Sequence, residues 1–300
     1  MPELPEVETT VRFLRKKVRN RAFIDVWTDF AKMLQIRQGS TGQVKKGNFE
    51  DFRKQLKNKK IQKIWRRGKN IILELSCDKT LLIHQKLTGH LLVGYWIMDN
   101  GYWKPKSRGF LGEKVNTYIH LLFTMDNGLM LGLSDLRKFA KVELWDTEKL
   151  KESKAILSLG PEPLAKDFTF EKFKEYLKNK KGKIKQVLMN QEVIAGIGNI
   201  YSDEILWEAK VNPCKEIKRL SDKEIKKIYD AMRKILEKAI KVQGESISDY
   251  RTPTGERGGF DKFRKAYRRE GEKCSRCQAV IKKTKIGGRS AHFCPKCQTL

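Results

Sequence analysis

Residues 274–297 read CSRCQAVIKKTKIGGRSAHFCPKC. Two CxxC pairs, Cys274/Cys277 and Cys294/Cys297, flank sixteen residues, the spacing of a four-thiolate zinc site. Each pair fits a tight turn that aims two sulfurs at one metal. The stretch between them is long enough for a β-hairpin that brings the turns together. Two separate redox pairs are the competing reading. Cys77 and Cys214, the other cysteines, are isolated, whereas an oxidising compartment favours paired cysteines scattered along a chain. So short a module has almost no core. One structural zinc is therefore expected, supplying roughly 10 kcal/mol or more of the module's folding free energy.

Outward from this module, the last fifty residues hold 14 Lys or Arg against 4 Asp or Glu. An even spread of the formal charge of +28 over 300 residues would put under +5 in such a window, not +10. Basic charge gathered in one region attracts polyanions, nucleic acid above all; a generally lysine-rich composition is the alternative. With 39% hydrophobic residues the chain can bury the cores of two or three domains, which argues against wholesale disorder. No apolar run reaches the roughly 18 residues of a membrane span. The N-terminus carries acids where a signal peptide needs bases and an apolar core, so a cytoplasmic location is expected.

The first 150 residues read mostly as strands. Runs at 71–75, 81–87, 91–97, 118–125, 129–133 and 140–145 are short and apolar or alternating, and Asp126-Asn127-Gly128 is a hairpin signal. Before them Val7, Val11, Leu14 and Val18 recur at helical spacing. Gly160–Pro163 interrupts the chain, and beyond it the period becomes helical at 170–179, 184–191, 199–209 and 222–242. Ser221 and Glu224 form a capping box that opens the longest helix. From Gly244 to about Arg269 the chain is a long Gly- and Arg-rich loop, the kind that carries function in an ordered protein.

The chain opens Met1-Pro2-Glu3-Leu4-Pro5-Glu6. Removal of Met1 would leave Pro2 with a free secondary amine, which condenses with an aldehyde carbon to a permanently charged iminium, a strong electron sink. Glu3 could then act as general acid or base, with Glu6 one turn onward. Proline followed by glutamate is also ordinary helix-start chemistry.

MPELPEVET at the start, RRGKN at 66–70, GPEPL at 160–164, AGIGNIYSDEILW at 195–207 and GGRSAHFCPKCQ at 287–298 occur in this order. In this combination the chain closely resembles the formamidopyrimidine-DNA glycosylase/endonuclease VIII family over nearly its full length. Pro-Glu-Leu-Pro-Glu, rather than Pro-Glu-Gly, is similar to its formamidopyrimidine (8-oxoguanine) branch. The resemblance implies an α+β multidomain fold. Residues 1–150 would be a two-sheet β-sandwich bearing the terminal proline on a helix, and 151–165 a linker. A helix–two-turn–helix domain would span 166–243, a lesion-recognition loop 244–268 and a zinc β-hairpin 269–300, with DNA between the lobes.

It also implies roles. Pro2 would be the nucleophile, Glu3 the acid/base group and Glu6 a supporting acid, with Lys69 beside the lesion phosphate. His84, Asn199, Tyr267 and Arg289 would hold DNA backbone, and His120 matches the second histidine of a His-x-His strand whose first position is Tyr118. Leu87, Arg137 and Phe139 match the wedge that fills the stack when a nucleotide is flipped out. Leu87 stands where the family has Met, Gln85-Lys86 precede it where Gly or another residue usually does, and Ala140 replaces a common Gly; these departures bear on wedge efficiency and opposite-base preference. The implied activity is a bifunctional glycosylase/AP lyase excising oxidised purines with β,δ-elimination, acting on damaged duplex DNA as a monomer, with Cys274, Cys277, Cys294 and Cys297 on one zinc. Oxidised pyrimidines as substrates, or damaged-DNA binding without catalysis, are the alternatives.

Overall fold

The computed structural model describes residues 1–39, 41–45, 49–107 and 109–300. Helix α1 (Leu4–Lys17) leads into β1 (Phe23–Thr28), β2 (Leu34–Gln38), β3 (Gln43–Lys45) and α2 (Phe49–Leu56). Strands β4 (Ile61–Arg67), β5 (Asn70–Leu75), β6 (Lys79–His84), β7 (His90–Gly94), β8 (Trp96–Asp99) and β9 (Tyr102–Pro105) follow. Strands β10 (Ile119–Met125), β11 (Met130–Ser134) and β12 (Lys141–Asp146) precede the short helices α3 (Thr147–Lys151) and α4 (Lys154–Leu157).

Two sheets result, in the orders β1-β10-β11-β7 and β3-β2-β12-β6-β5-β4. All their pairings are antiparallel except β12 with β2. Alternating strand residues such as Phe23, Ile71, Leu73, Leu81, Ile83, Leu121 and Phe123 form one core with Val7, Val11 and Leu14 of α1. The β-sandwich thus buries the apolar stripe of α1 in its own core, which fixes that helix's N-terminus. Residues 1–157 and 243–259 make one compact unit, so the Gly-rich loop expected over 244–268 is divided: 244–259 fold with the sandwich and 260–268 with the second unit. Val93 N donates to Pro253 O at 2.8 Å, and the Asn116 amide to Gly255 O at 3.0 Å.

The second unit comprises residues 158–242 and 260–300. It holds α5 (Phe170–Lys178), α6 (Ile184–Met189), α7 (Asn199–Ala209), α8 (Asp222–Lys241) and the hairpin β13 (Lys282–Ile286)–β14 (Arg289–Phe293). Ser221 caps α8: its Oγ accepts from Glu224 N at 3.3 Å while the Glu224 carboxylate accepts the Ser221 N–H at 2.9 Å. Ile225, Ile228, Met232, Leu236 and Ala239 of α8 are buried at helical spacing. Ser221→Ala should lower stability by about 1 kcal/mol, measured by urea unfolding; an unchanged midpoint would remove the cap from the account. Among the described residues no helix is long and apolar enough to cross a membrane.

Candidate active site and nucleic-acid interface

In the sandwich unit the site begins at the N-terminus of α1. Glu3 is the helix N-cap and Pro5 occupies the first turn. Pro2 therefore precedes the cap, and the helix-start role considered for it belongs to Pro5. Glu3 and Glu6 are both 1% exposed. Glu6 Oε2 accepts the Glu3 N–H at 2.7 Å and Oε1 accepts the Glu245 N–H at 2.8 Å. A Cβ on Gly244 (φ +84°) would fall 2.6 Å from Glu6 Oε1, so glycine is required there. Tyr250 donates its hydroxyl to Glu6 O at 3.3 Å; burial, then the Glu6 charge, pushes its phenol pKa up. The Gly-rich loop is thus bolted to the first turn of α1.

The terminal amine of Met1 is held below its ordinary value by burial, against the opposing charges of Glu3 and Glu6; Lys69 lowers it further and Asp249 raises it. An amine at this place sits in one electrostatic neighbourhood with both carboxylates and the lysine. Lys69 is 6% exposed and lies in the two-residue turn Gly68-Lys69 between β4 and β5, where Gly68 has φ +55°. Arg66 secures that turn, donating to Gly68 O at 2.9 Å and pairing with Glu8 of α1 at 3.1 Å.

His84 ends β6, and its Nδ1 accepts the Lys86 N–H at 2.9 Å. Burial, with Lys86 and Lys69 adding, lowers its pKa to about 3. The ring is therefore neutral in physiological conditions with its proton on Nε2, a donor rather than a cation. Two loops follow. Leu87 is half-buried in a turn where Gly89 N donates to Gln85 O at 3.1 Å. Arg137 and Phe139 are exposed, with the guanidinium 4.6 Å from the Phe139 ring centroid. His120 is engaged by Asp29 at 2.9 Å, and the Tyr118 carbonyl accepts Asp135 N at 2.9 Å.

The residue that joins these loops was not legible in the sequence. Asp135, fully buried, accepts from the Thr88 hydroxyl, from Ala140 N at 2.8 Å and from Arg137 N at 3.3 Å. One carboxylate thus fixes both Leu87's loop and that of Arg137 and Phe139. Asp135→Asn replaces an acceptor by a donor facing donors. It should cost about 2 kcal/mol in urea unfolding, and a stability equal to the parent's would contradict this role.

In the second unit, Asn199 is the first residue of α7 and Gly198 is its N-cap. Asn199 therefore lies one residue inside the cap position. Its amide donates to Ser290 Oγ at 3.2 Å, and its Oδ1 is buried without a hydrogen-bond partner among the described residues. Beneath it runs a buried ionic network that sequence reading missed. Lys185 Nζ reaches Asp203, Ser202 Oγ at 3.2 Å and Asn199 O at 3.4 Å. Asp203 Oδ2 accepts His292 N at 2.9 Å and Nδ1–H at 2.8 Å. The network joins α6, α7 and β14.

Arg289 is exposed at the first position of β14, opposite Ile286. Gly287 and Gly288 between them have φ +53° and +77°, the two left-handed residues of a tight hairpin turn. Tyr267 is half-buried, its ring edge-on to His292 at 5.2 Å. Glu204 holds its backbone: the carboxylate accepts from Lys265, Ala266 and Tyr267 N–H at 2.8, 2.9 and 2.8 Å. Burial raises the Glu204 pKa against those bonds.

The four Sγ atoms of Cys274, Cys277, Cys294 and Cys297 lie within 4.8 Å of one another, with Cys277 and Cys294 3.4 Å apart. A tetrahedral zinc with bonds of about 2.3 Å needs sulfurs about 3.8 Å apart, so these residues fit one structural zinc. Cys274, Cys294, Trp207, Ala266 and Ile281 pack as a small core around it. When bound, the metal adds the folding free energy that so small a core does not supply.

Comparison with known proteins accounts for this assembly. The formamidopyrimidine-DNA glycosylase N-terminal domain matches residues 1–142, the family's H2TH domain 159–251, and the zinc finger found in FPG and IleRS 271–300. These are the parts of a zinc-finger DNA glycosylase of base excision repair. Formamidopyrimidine-DNA glycosylases of Pelotomaculum thermopropionicum and Lactococcus lactis subsp. cremoris are 36% and 37% identical to it, each alignment covering 99% of both chains. The Lactococcus lactis Fpg solved with DNA containing an abasic site is 36% identical with TM-score 0.83, over 99% of this chain and 100% of that one. A variant of the same enzyme with Fapy-dG-containing DNA is 35% identical with TM-score 0.84, covering 100% of both. The chain belongs to the formamidopyrimidine-DNA glycosylase family.

Proposed function

We propose that this DNA glycosylase excises oxidised purines, 8-oxoguanine and formamidopyrimidines, from duplex DNA and cleaves the resulting abasic site. After removal of Met1, the Pro2 nitrogen attacks C1′. The new N–C1′ bond forms as the glycosidic bond breaks, its electron pair leaving with the base, which takes up the proton that the Pro2 nitrogen loses. Glu3 delivers a proton to O4′ as the sugar ring opens, leaving an iminium between Pro2 and C1′. Loss of the C2′ proton then expels the 3′ phosphate, and loss of the C4′ proton expels the 5′ phosphate, so the strand is cut on both sides. Lys69 and neutral His84 hold phosphates beside the lesion. Arg289, Asn199 and Tyr267 hold the backbone from the second unit, and Leu87, Arg137 and Phe139 fill the vacated stack.

The observation that carries this reading is the burial of Glu3 and Glu6 around the chain start, with Lys69 in electrostatic reach of the terminal amine. Two carboxylates at 1% exposure are costly unless they serve a site. The solved relatives with abasic-site and Fapy-dG-containing DNA support the same substrate class. The enzyme acts as a monomer, in the cytoplasm where its DNA lies.

Borohydride trapping on 8-oxoguanine·C, thymine glycol·A and undamaged duplexes tests it. A covalent adduct with the first, mapped to Pro2, is expected. An adduct confined to thymine glycol would move the substrate to oxidised pyrimidines. No adduct, with Met1 removed and zinc bound, would reduce the protein to a damaged-DNA binder.

A further inference from the structure

A groove of about 760 Å³ lies within the second unit, between α5, the start of α8 and residues 217–219. It shares no residue with the site described above. Its floor is apolar: Phe170 and Leu177 of α5, Ile217, and Ile225 of α8. Phe170 is half-buried with the Lys226 ammonium 5.6 Å from its ring, while Leu177, Ile217 and Ile225 are buried at the groove's base. The volume matches a site for two or three large side chains.

The rim decides what kind of ligand fits. Lys174, Lys178, Lys180 and Lys218 border the floor, interrupted by Glu171 and Glu175. Lys174 and Lys218 are paired with Asp222 and Glu216. Lys178 and Lys180 are exposed and have no carboxylate partner among the described residues. A nucleic-acid backbone presents an unbroken row of phosphates and would meet the two glutamates at close range, with nothing to occupy the apolar floor. A peptide carrying separated carboxylates around aliphatic or aromatic side chains satisfies both features. It sets an apolar anchor against half-buried Phe170, above the buried floor, and carboxylates on Lys178 and Lys180, the helix-in-groove mode of peptide recognition. We propose that this groove docks an acidic, amphipathic peptide segment of a partner protein, leaving the DNA-binding residues accessible.

The test uses full-length, zinc-loaded protein and a fluorescein-labelled fifteen-residue peptide of Asp, Glu, Leu and Phe. Leu or Phe at every third or fourth position gives one apolar helical face. Fluorescence anisotropy should show saturable binding, with affinity falling about tenfold in the double variant Lys178→Glu/Lys180→Glu as two rim pairs become repulsive. The variant should incise damaged duplex at the parent rate, which shows that it is folded. A photoreactive phenylalanine in the peptide should cross-link within 170–180 or 217–225. Absence of saturation, equal affinity of the double variant, equal binding of a Lys/Arg counterpart peptide, or cross-links elsewhere would each overturn the proposal. So would stoichiometric displacement by undamaged duplex, which would make the groove a nucleic-acid surface.

Discussion

Pro2→Gly protein should release 8-oxoguanine at least on the order of a thousandfold more slowly than the parent, the scale of loss when a nucleophile is removed. A secondary amine forms an iminium that keeps its positive charge without a proton. The primary amine of glycine forms an imine that is charged only while protonated, and it lacks the ring that fixes the approach to C1′. Protein retaining Met1 should be weaker still, because its primary amine lies one residue from the position defined by Glu3 and Glu6. Single-turnover excision, with mass spectrometry of the N-terminus, separates the two effects. An excision rate equal to the parent's in Pro2→Gly would exclude Pro2 as the nucleophile. The pH profile gives an independent reading. The surroundings hold a terminal amine below its ordinary value of 8.0, burial being the largest cause. Only the neutral amine attacks, and the same surroundings act on Pro2 once Met1 is removed, so the acidic limb of kcat/KM should lie at lower pH than the titration of a solvent-exposed N-terminal proline.

Features readable from the sequence were those whose physics is local. Helix α8 announced itself through Ser221, Glu224 and an apolar stripe at helical spacing. The metal site announced itself through two CxxC pairs, and the strand runs from 70 to 146 through short apolar segments. Strands β1–β3 were missed, because FIDVWT mixes apolar and polar residues without clean alternation and β3 has only three residues. The start of β8 was read as the tail of the run 91–97, and β9, like β4, was not read as a strand. Harder still were the groups that position the site. Asp135 and Thr88 are 47 residues apart, Glu204 and Ala266 are 62, and Asp203 and His292 are 89. Each is a buried acid whose partners become visible only when distant elements pack, and in the sequence each reads as an ordinary surface charge. Glu6 is the intermediate case. Its bond to Glu3 is local, whereas its bond to Glu245 spans 239 residues and ties α1 to the loop.

Removal of zinc should separate the two units in behaviour. The sandwich has its own core, built from both sheets and α1. The zinc module has two cysteines among its few fully buried residues, and its largest buried apolar partner, Trp207, belongs to α7. Without metal, four thiols within 4.8 Å replace one coordination centre, and the module loses on the order of 10 kcal/mol of folding free energy. The consequences reach Asn199 by a traceable route. Arg276, in the first CxxC turn, stacks 3.6 Å from the Trp207 ring centroid and pairs with Glu208 at 2.7 Å. His292 in β14 holds Asp203 of α7. Disordering the module therefore releases Arg289 and the hairpin, and loosens the helix whose first residue is Asn199. Chelation, or Cys294→Ser, should abolish binding to abasic-site duplex, while far-ultraviolet circular dichroism retains the sandwich's β signal. Readdition of zinc should restore binding in the chelated protein but not in the variant. Full DNA affinity in metal-free protein would show that the module is not needed to hold the backbone.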